Sequence, residues 1–146
     1  MKPTPNALEA LRLSNQLCFS LYCASRKVVQ AYQPHLRQMG ITYPQYLVLL
    51  ALWEEDMLSV KALGDRLLLD SGTLTPLLKR MAAAELVRRD HDPLDERQRR
   101  ICLTEKGSAL RQQALLMREE LRCQYGTQLS ESGALHAALQ GLLAAL

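Results

Sequence analysis

The chain has 146 residues, a formal net charge of +3, 48% hydrophobic and 23% charged residues. That suits one folded domain with its own core, and it excludes a disordered chain or one too small to fold without disulfides or a structural metal. The longest uninterrupted apolar run, Tyr46 to Trp53, is far short of the roughly 20 residues a membrane helix needs, and the opening residues lack a basic stretch followed by an apolar core.

A cytoplasmic protein with no membrane partner is therefore expected. Its four cysteines, Cys18, Cys23, Cys102 and Cys123, should rest as thiols. They form no CxxC pair and have no neighbouring histidine at metal-ligand spacing, so neither a metal nor another cofactor is expected.

In chain order the pattern is mainly helical. Ala7 to Met39 carries apolar residues at helical spacing and stops at Gly40. As one helix it is too long to fold back on a small core, which points to packing against another chain. Thr42 reads as the N-cap of a second helix running to about Glu54, with Pro44 in its first turn. Ser59 caps a short helix, Val60 to Leu67. A break at Leu69-Asp70-Ser71-Gly72 leads to a helix from Thr73 to Glu85, with Pro76 near its first turn. The period then changes. Leu86 to Arg89 and Arg99 to Leu103 read as two strands joined by the turn-rich stretch 90–97. A helix from Thr104 to Gly126 follows, and a last one begins at Ser130.

Two short helices about a tight break, followed by a basic hairpin, outline a winged helix-turn-helix: mainly α with a small β-wing. The second helix would enter the major groove of double-stranded DNA, exposing Ser71, Thr73, Thr75, Lys79 and Arg80 opposite its leucines. The hairpin adds Arg88, Arg89, Arg97, Arg99 and Arg100. Arg97 sits at the tip, where a guanidinium could enter the minor groove, and Asp95 is near enough to orient it by a charged hydrogen bond. Five acids between Glu85 and Arg100 match the five arginines, so a solvated charged hairpin would look the same.

On the first long helix Cys18, Tyr22, Val29 and Tyr32 share one stripe, and Tyr22 is one turn from Cys18. Tyr32 lies about 21 Å further along. It could meet Cys18 only from a second, antiparallel copy of the helix. Cys23 is about 140° around from Cys18 and poorly placed to bridge it, and Cys102 falls in a wing strand with a structural role. Cys18 read without context is a small buried hydrophobe.

The stretch Leu69-Asp70-Ser71-Gly72-Thr73-Leu74-Thr75-Pro76-Leu77-Leu78-Lys79-Arg80 with Asp95-Glu96-Arg97 resembles the multiple antibiotic resistance regulator (MarR) family. Gln16 to Tyr22 and Ile41 to Tyr46 resemble its organic hydroperoxide resistance (OhrR) branch. The resemblance implies a homodimeric repressor in which 7–40 and 104–146 form the dimerisation region and 42–103 the DNA-binding region of a single domain, 1–146. It further implies that Cys18 is the peroxide-reactive thiol, hydrogen-bonded by Tyr32 and Tyr43 of the other subunit, and that oxidation by organic hydroperoxide releases a pseudo-palindromic operator. Cys123 matches the resolving cysteine of the two-cysteine members, which closes an intersubunit disulfide; in one-cysteine members a small thiol takes that part. Apolar neighbours such as Phe19, Leu21 and Val29 would favour organic peroxides. Three other readings stand beside this one: a repressor triggered by a small aromatic ligand, a thiol peroxidase using Cys18 and Cys123, and a purely structural helical dimer.

Overall fold

The structure, a computed structural model, describes residues 5–125 and 133–146. Among the described residues, seven α-helices and three strands run in the order α1 (Pro5–Ala10), α2 (Leu17–Met39), α3 (Tyr43–Glu54), β1 (Leu58–Ser59), α4 (Val60–Leu67), α5 (Ser71–Ala83), β2 (Val87–His91), β3 (Arg99–Leu103), α6 (Glu105–Tyr125) and α7 (Gly133–Ala145), with a 3₁₀ turn at Leu13–Asn15. The expected starting point of the last helix, Ser130, and the expected end of the one before it, Gly126, lie outside the described residues.

The continuous helix expected over Ala7–Met39 is broken. Arg12 and Gln16 take extended backbone conformations either side of the 3₁₀ turn. Asn15 and Gln16 supply the reason: the Asn15 amide donates to the Glu9 carbonyl at 2.9 Å, and the Gln16 amide to Ala10 and Arg12 carbonyls at 2.6 and 3.0 Å. Side-chain amides thus take carbonyls that a continuing helix would have used. Cys18 consequently sits in the first turn of α2 rather than in mid-helix.

From Leu17 onward α2 is uninterrupted and ends where expected. Gly40 takes φ +69, and the amide of Ile41 reaches back to the Leu36 carbonyl at 3.0 Å. Leu36 is the one fully buried residue of α2. The core lies below it, where α3 contributes Val48, Leu49 and Leu52, α4 Leu63, α5 Leu74, Leu77, Leu78 and Met81, β3 Ile101, and α6 Leu110, Met117 and Leu121. The indole of Trp53 donates to the Gly107 carbonyl at 3.1 Å and so ties α3 to the start of α6.

The helix-turn-helix follows the sequence closely. The Ser59 hydroxyl accepts from the Ala62 amide at 3.1 Å, capping α4. Leu68 then enters the left-handed region, φ 54, and ends it. The turn is tight enough that a Cβ on Gly64 would stand 2.8 Å from the Leu69 carbonyl oxygen. Asp70 caps α5 through the Thr73 amide at 2.8 Å, so that helix begins two residues before the expected Thr73. Pro76 therefore falls in the second turn, not the first, and leaves the exposed Gly72 carbonyl without its usual donor.

The sheet order is β1-β3-β2, antiparallel throughout. Sequence reading found β2 and β3 but not β1, a two-residue strand in which Leu58 pairs with Ile101 and Ser59 with Arg100.

Candidate functional site

Two constellations stand apart from the core: a cationic surface formed by α5 and the hairpin, and an exposed thiol at the start of α2.

On α5, Ser71, Thr73, Lys79 and Arg80 are exposed and Thr75 half-buried, while Leu74, Leu77, Leu78 and Met81 fill the opposite face. The Thr73 hydroxyl also donates to Asp70 at 3.1 Å. Both amide and hydroxyl of Thr73 thus hold the carboxylate, and these bonds keep Asp70 below the usual carboxylate range. Thr73 serves the cap as well as the surface.

The hairpin sorts its arginines. Arg88, Asp90, Arg100 and Cys102 fall on one face by the two-residue alternation of the paired strands. There Arg88 meets Asp90 at 2.7 Å and Arg100 meets Asp92 at 2.7 Å. Arg89 and Arg99 lie on the other face and Arg97 at the tip. Among the described residues none of these three guanidinium groups has a hydrogen-bonding or ion-pair partner. The even count of acids and bases in the sequence therefore conceals a one-sided distribution. The sequence offers Arg89 as one of five hairpin arginines; the alternation of the strands, once their register is known, places it with Arg99 and apart from the paired Arg88 and Arg100.

Asp95 has a different part from the one expected. It accepts from the Arg97 backbone amide at 3.0 Å and from the Gln98 side chain at 3.3 Å, not from the Arg97 guanidinium. Asp92 likewise accepts from the Leu94 amide at 2.9 Å. Both aspartates shape the loop as local turns do, and the Arg97 side chain is left to project from it.

Cys18 and Cys123 are exposed, Cys23 is half-buried and Cys102 buried. Cys18 stands among other exposed apolar groups: Leu17 at 63%, Phe19 at 39% and Tyr22 at 59% exposure. The Tyr22 ring carries the Arg26 guanidinium 5.4 Å from its centroid. Burial raises the Cys102 thiol pKa, with the Asp90 carboxylate beside it adding to the effect, as suits a structural residue.

Tyr32 and Tyr43 do come together, and Tyr46 joins them. Ring centroids are 5.3 Å apart for Tyr32–Tyr43, 5.9 Å for Tyr32–Tyr46 and 6.1 Å for Tyr43–Tyr46, and Tyr46 makes an edge contact with Trp53 at 6.3 Å. Burial, then the neighbouring Tyr32, pushes Tyr43 up and Tyr46 up to about 12. These hydroxyls remain neutral hydrogen-bond donors at any ordinary pH. Along the unbroken α2, Tyr32 is fourteen residues, about 21 Å, from Cys18. One chain does not bring them together.

A helix-turn-helix followed by a β-wing with free arginines on one side defines a winged helix-turn-helix protein. Residues 41–98 match the model of the MarR family. The chain is 50% identical over 110 residues to the organic hydroperoxide resistance transcriptional regulator of Bacillus subtilis, covering 75% of each chain. Among solved structures it is similar to reduced AbfR of Staphylococcus epidermidis bound to DNA (TM-score 0.79, 41% identity, 92% of this chain and 94% of that one). It is also similar to disulfide-formed AbfR (TM-score 0.66, 39% identity, 93% and 95%). The chain belongs to the MarR family of transcriptional regulators, not to a family of enzymes. Among its described residues, no helix is long and apolar enough to cross a membrane.

Proposed function

We propose that the chain is a cytoplasmic, homodimeric repressor that binds a pseudo-palindromic DNA operator while reduced and lets go when an organic hydroperoxide oxidises Cys18. The observation that carries this reading is the combination, in one chain, of a wing whose free arginines lie on one side and an exposed thiol on an apolar helix surface. α5 would lie in the major groove with Ser71, Thr73 and Thr75 toward base edges and Lys79 and Arg80 toward phosphate. Arg97 would enter the minor groove, with Arg89 and Arg99 on the flanking backbone.

Cys18 occupies the end of a helix at which negative charge is favoured. Its thiolate attacks the peroxide O–O bond, gains one oxygen as a sulfenic acid, and the peroxide leaves as its alcohol. Tyr32 and Tyr43 of a second chain would donate hydrogen bonds to the sulfur from their hydroxyls, which gives the separation within one chain a purpose. Cys123, exposed on α6, would attack the sulfenic sulfur and expel its oxygen as water, closing a disulfide. The similarity to AbfR in both reduced, DNA-bound and disulfide forms supports a switch of this kind.

The test is a gel shift on the DNA upstream of the chain's own gene, with and without one equivalent of an organic hydroperoxide. Wild type should release the duplex on oxidation and Cys18→Ser should not. A covalent dimer present in wild type and missing from Cys123→Ser would identify the resolving thiol. Release that survives Cys18→Ser rejects the thiol switch.

One observation favours a second trigger. A cleft of about 210 Å³ beside Tyr46 and Trp53 is lined by Arg111 and Arg118 against the single acid Glu54, a setting suited to an aromatic carboxylate. Release of DNA by such an acid in the Cys18→Ser variant would select that reading.

A further inference from the structure

The two ion pairs on the closed face of the wing are not equivalent. Arg88–Asp90 lies along one strand with side chains 59% and 39% exposed. The Asp92 side chain is 5% exposed, at the neck where the hairpin leaves the sheet, and it receives the Arg100 Nε at 2.7 Å. The same guanidinium donates through Nη1 to the Met57 carbonyl at 2.8 Å. Met57 belongs to the segment before β1 and holds φ 63, its amide fixed by the Asp56 carboxylate at 2.8 Å. That carboxylate also accepts from the Leu103 amide at the far end of β3, at 2.8 Å. The Asp92 amide closes the loop onto the Gln98 carbonyl at 3.0 Å.

We infer that Arg100, clasped between Asp92 at the hairpin neck and the Met57 carbonyl in the segment joining α3 to β1, is a positioning residue that sets the direction in which the wing presents Arg97. The inference rests on the reading of the wing as a DNA contact. A two-stranded ribbon has little stiffness of its own beyond its last paired residues. The loop from 92 to 98 must aim one guanidinium at a groove about 6 Å wide. A planar cation with fixed, divergent donors can hold a carboxylate and a carbonyl at once, whereas an ammonium is a point charge on a flexible stem. Arg100 is therefore a cation spent on geometry, and Asp92 an acid that aids the binding of a polyanion.

That last consequence makes the test decisive. Fluorescence anisotropy would follow binding of a labelled duplex carrying the DNA upstream of the chain's own gene, alongside thermal unfolding of each variant. Asp92→Asn removes a negative charge, and by charge alone it should bind more tightly. The clasp requires the reverse, about tenfold weaker binding, with Arg100→Lys weakened similarly although its charge is kept. Added to Arg97→Ala, Asp92→Asn should cost less than about twofold, since the group it positions is already gone. Unchanged or tighter binding by Asp92→Asn, or an equal loss in both backgrounds, overturns the proposal. Arg97→Ala binding like wild type, or wild type binding no duplex, fails the wing reading itself, and the clasp falls with it.

Discussion

Tyr43 and Tyr46 show how much burial changes an ordinary side chain. The phenol of Tyr46 is neutral until about pH 12, whereas in the unfolded chain it ionises near 10. The folded state therefore holds a proton that the unfolded state loses between those values, and stability falls as pH rises through that window. An alkaline titration followed by tyrosinate absorbance should show two of the five tyrosines ionising late, together with loss of the fold. Tyr46→Phe should remove part of that alkaline loss. Early, independent ionisation of all five would contradict the burial. At this scale the sequence was informative about residue type and poor about partners. Tyr32 and Tyr43 were legible as a pair, but the place of Tyr46 between them and Trp53 depends on how α2 crosses α3. The part Asp95 plays was misread because charge suggested a guanidinium partner, while a short side chain two residues back reaches a backbone amide more easily.

Among the elements, α4 and α5 were the most legible, since caps and leucine periodicity are local signals. β1 was invisible because two residues carry no period; only pairing with β3 makes Leu58 and Ser59 a strand. The long helix failed at Asn15 and Gln16, whose amides compete for backbone carbonyls that a pattern of apolar residues does not register. Two substitutions test the joints between elements. A Cβ on Gly107 would stand 2.1 Å from the Leu86 carbonyl oxygen, so Gly107→Ala must push α6 away from the strand entry. The cost expected is about 3 kcal/mol or more, read as a fall in unfolding temperature. Ser59→Ala removes only the cap of α4 and should cost about 1 kcal/mol. Equal effects of the two would mean that the close approach at Gly107 is easily relaxed.

For the molecule as a whole, α7 poses the largest question. It is thirteen residues long, rich in leucine and alanine, and none of its residues is buried. Leu135 is 56% and Leu143 52% exposed. A helix of that length is marginal in water without packing, and Leu8, Leu11 and Leu17 are similarly bare. An unpartnered apolar surface of this kind calls for a second copy of the chain, in keeping with the proposed dimer. Sedimentation should give a dimer for wild type, and Leu135→Lys combined with Leu143→Lys should shift it toward monomer with weakened DNA binding. A variant that stays dimeric would place the interface elsewhere. The sequence signalled this surface through apolar spacing alone, without a partner to define which residues meet.

Cys102 gives the molecule a clock. Its sulfur is fully enclosed, on the central strand of the sheet and opposite Arg88, while Cys18 and Cys123 lie open to reagent. An alkylating agent of fixed mass would therefore add rapidly to the outer thiols, less readily to the half-buried Cys23, and reach Cys102 only in moments when the strands part. Counting that slow addition by mass spectrometry, with and without bound duplex, would time the opening of the wing's root without any label being engineered into the chain.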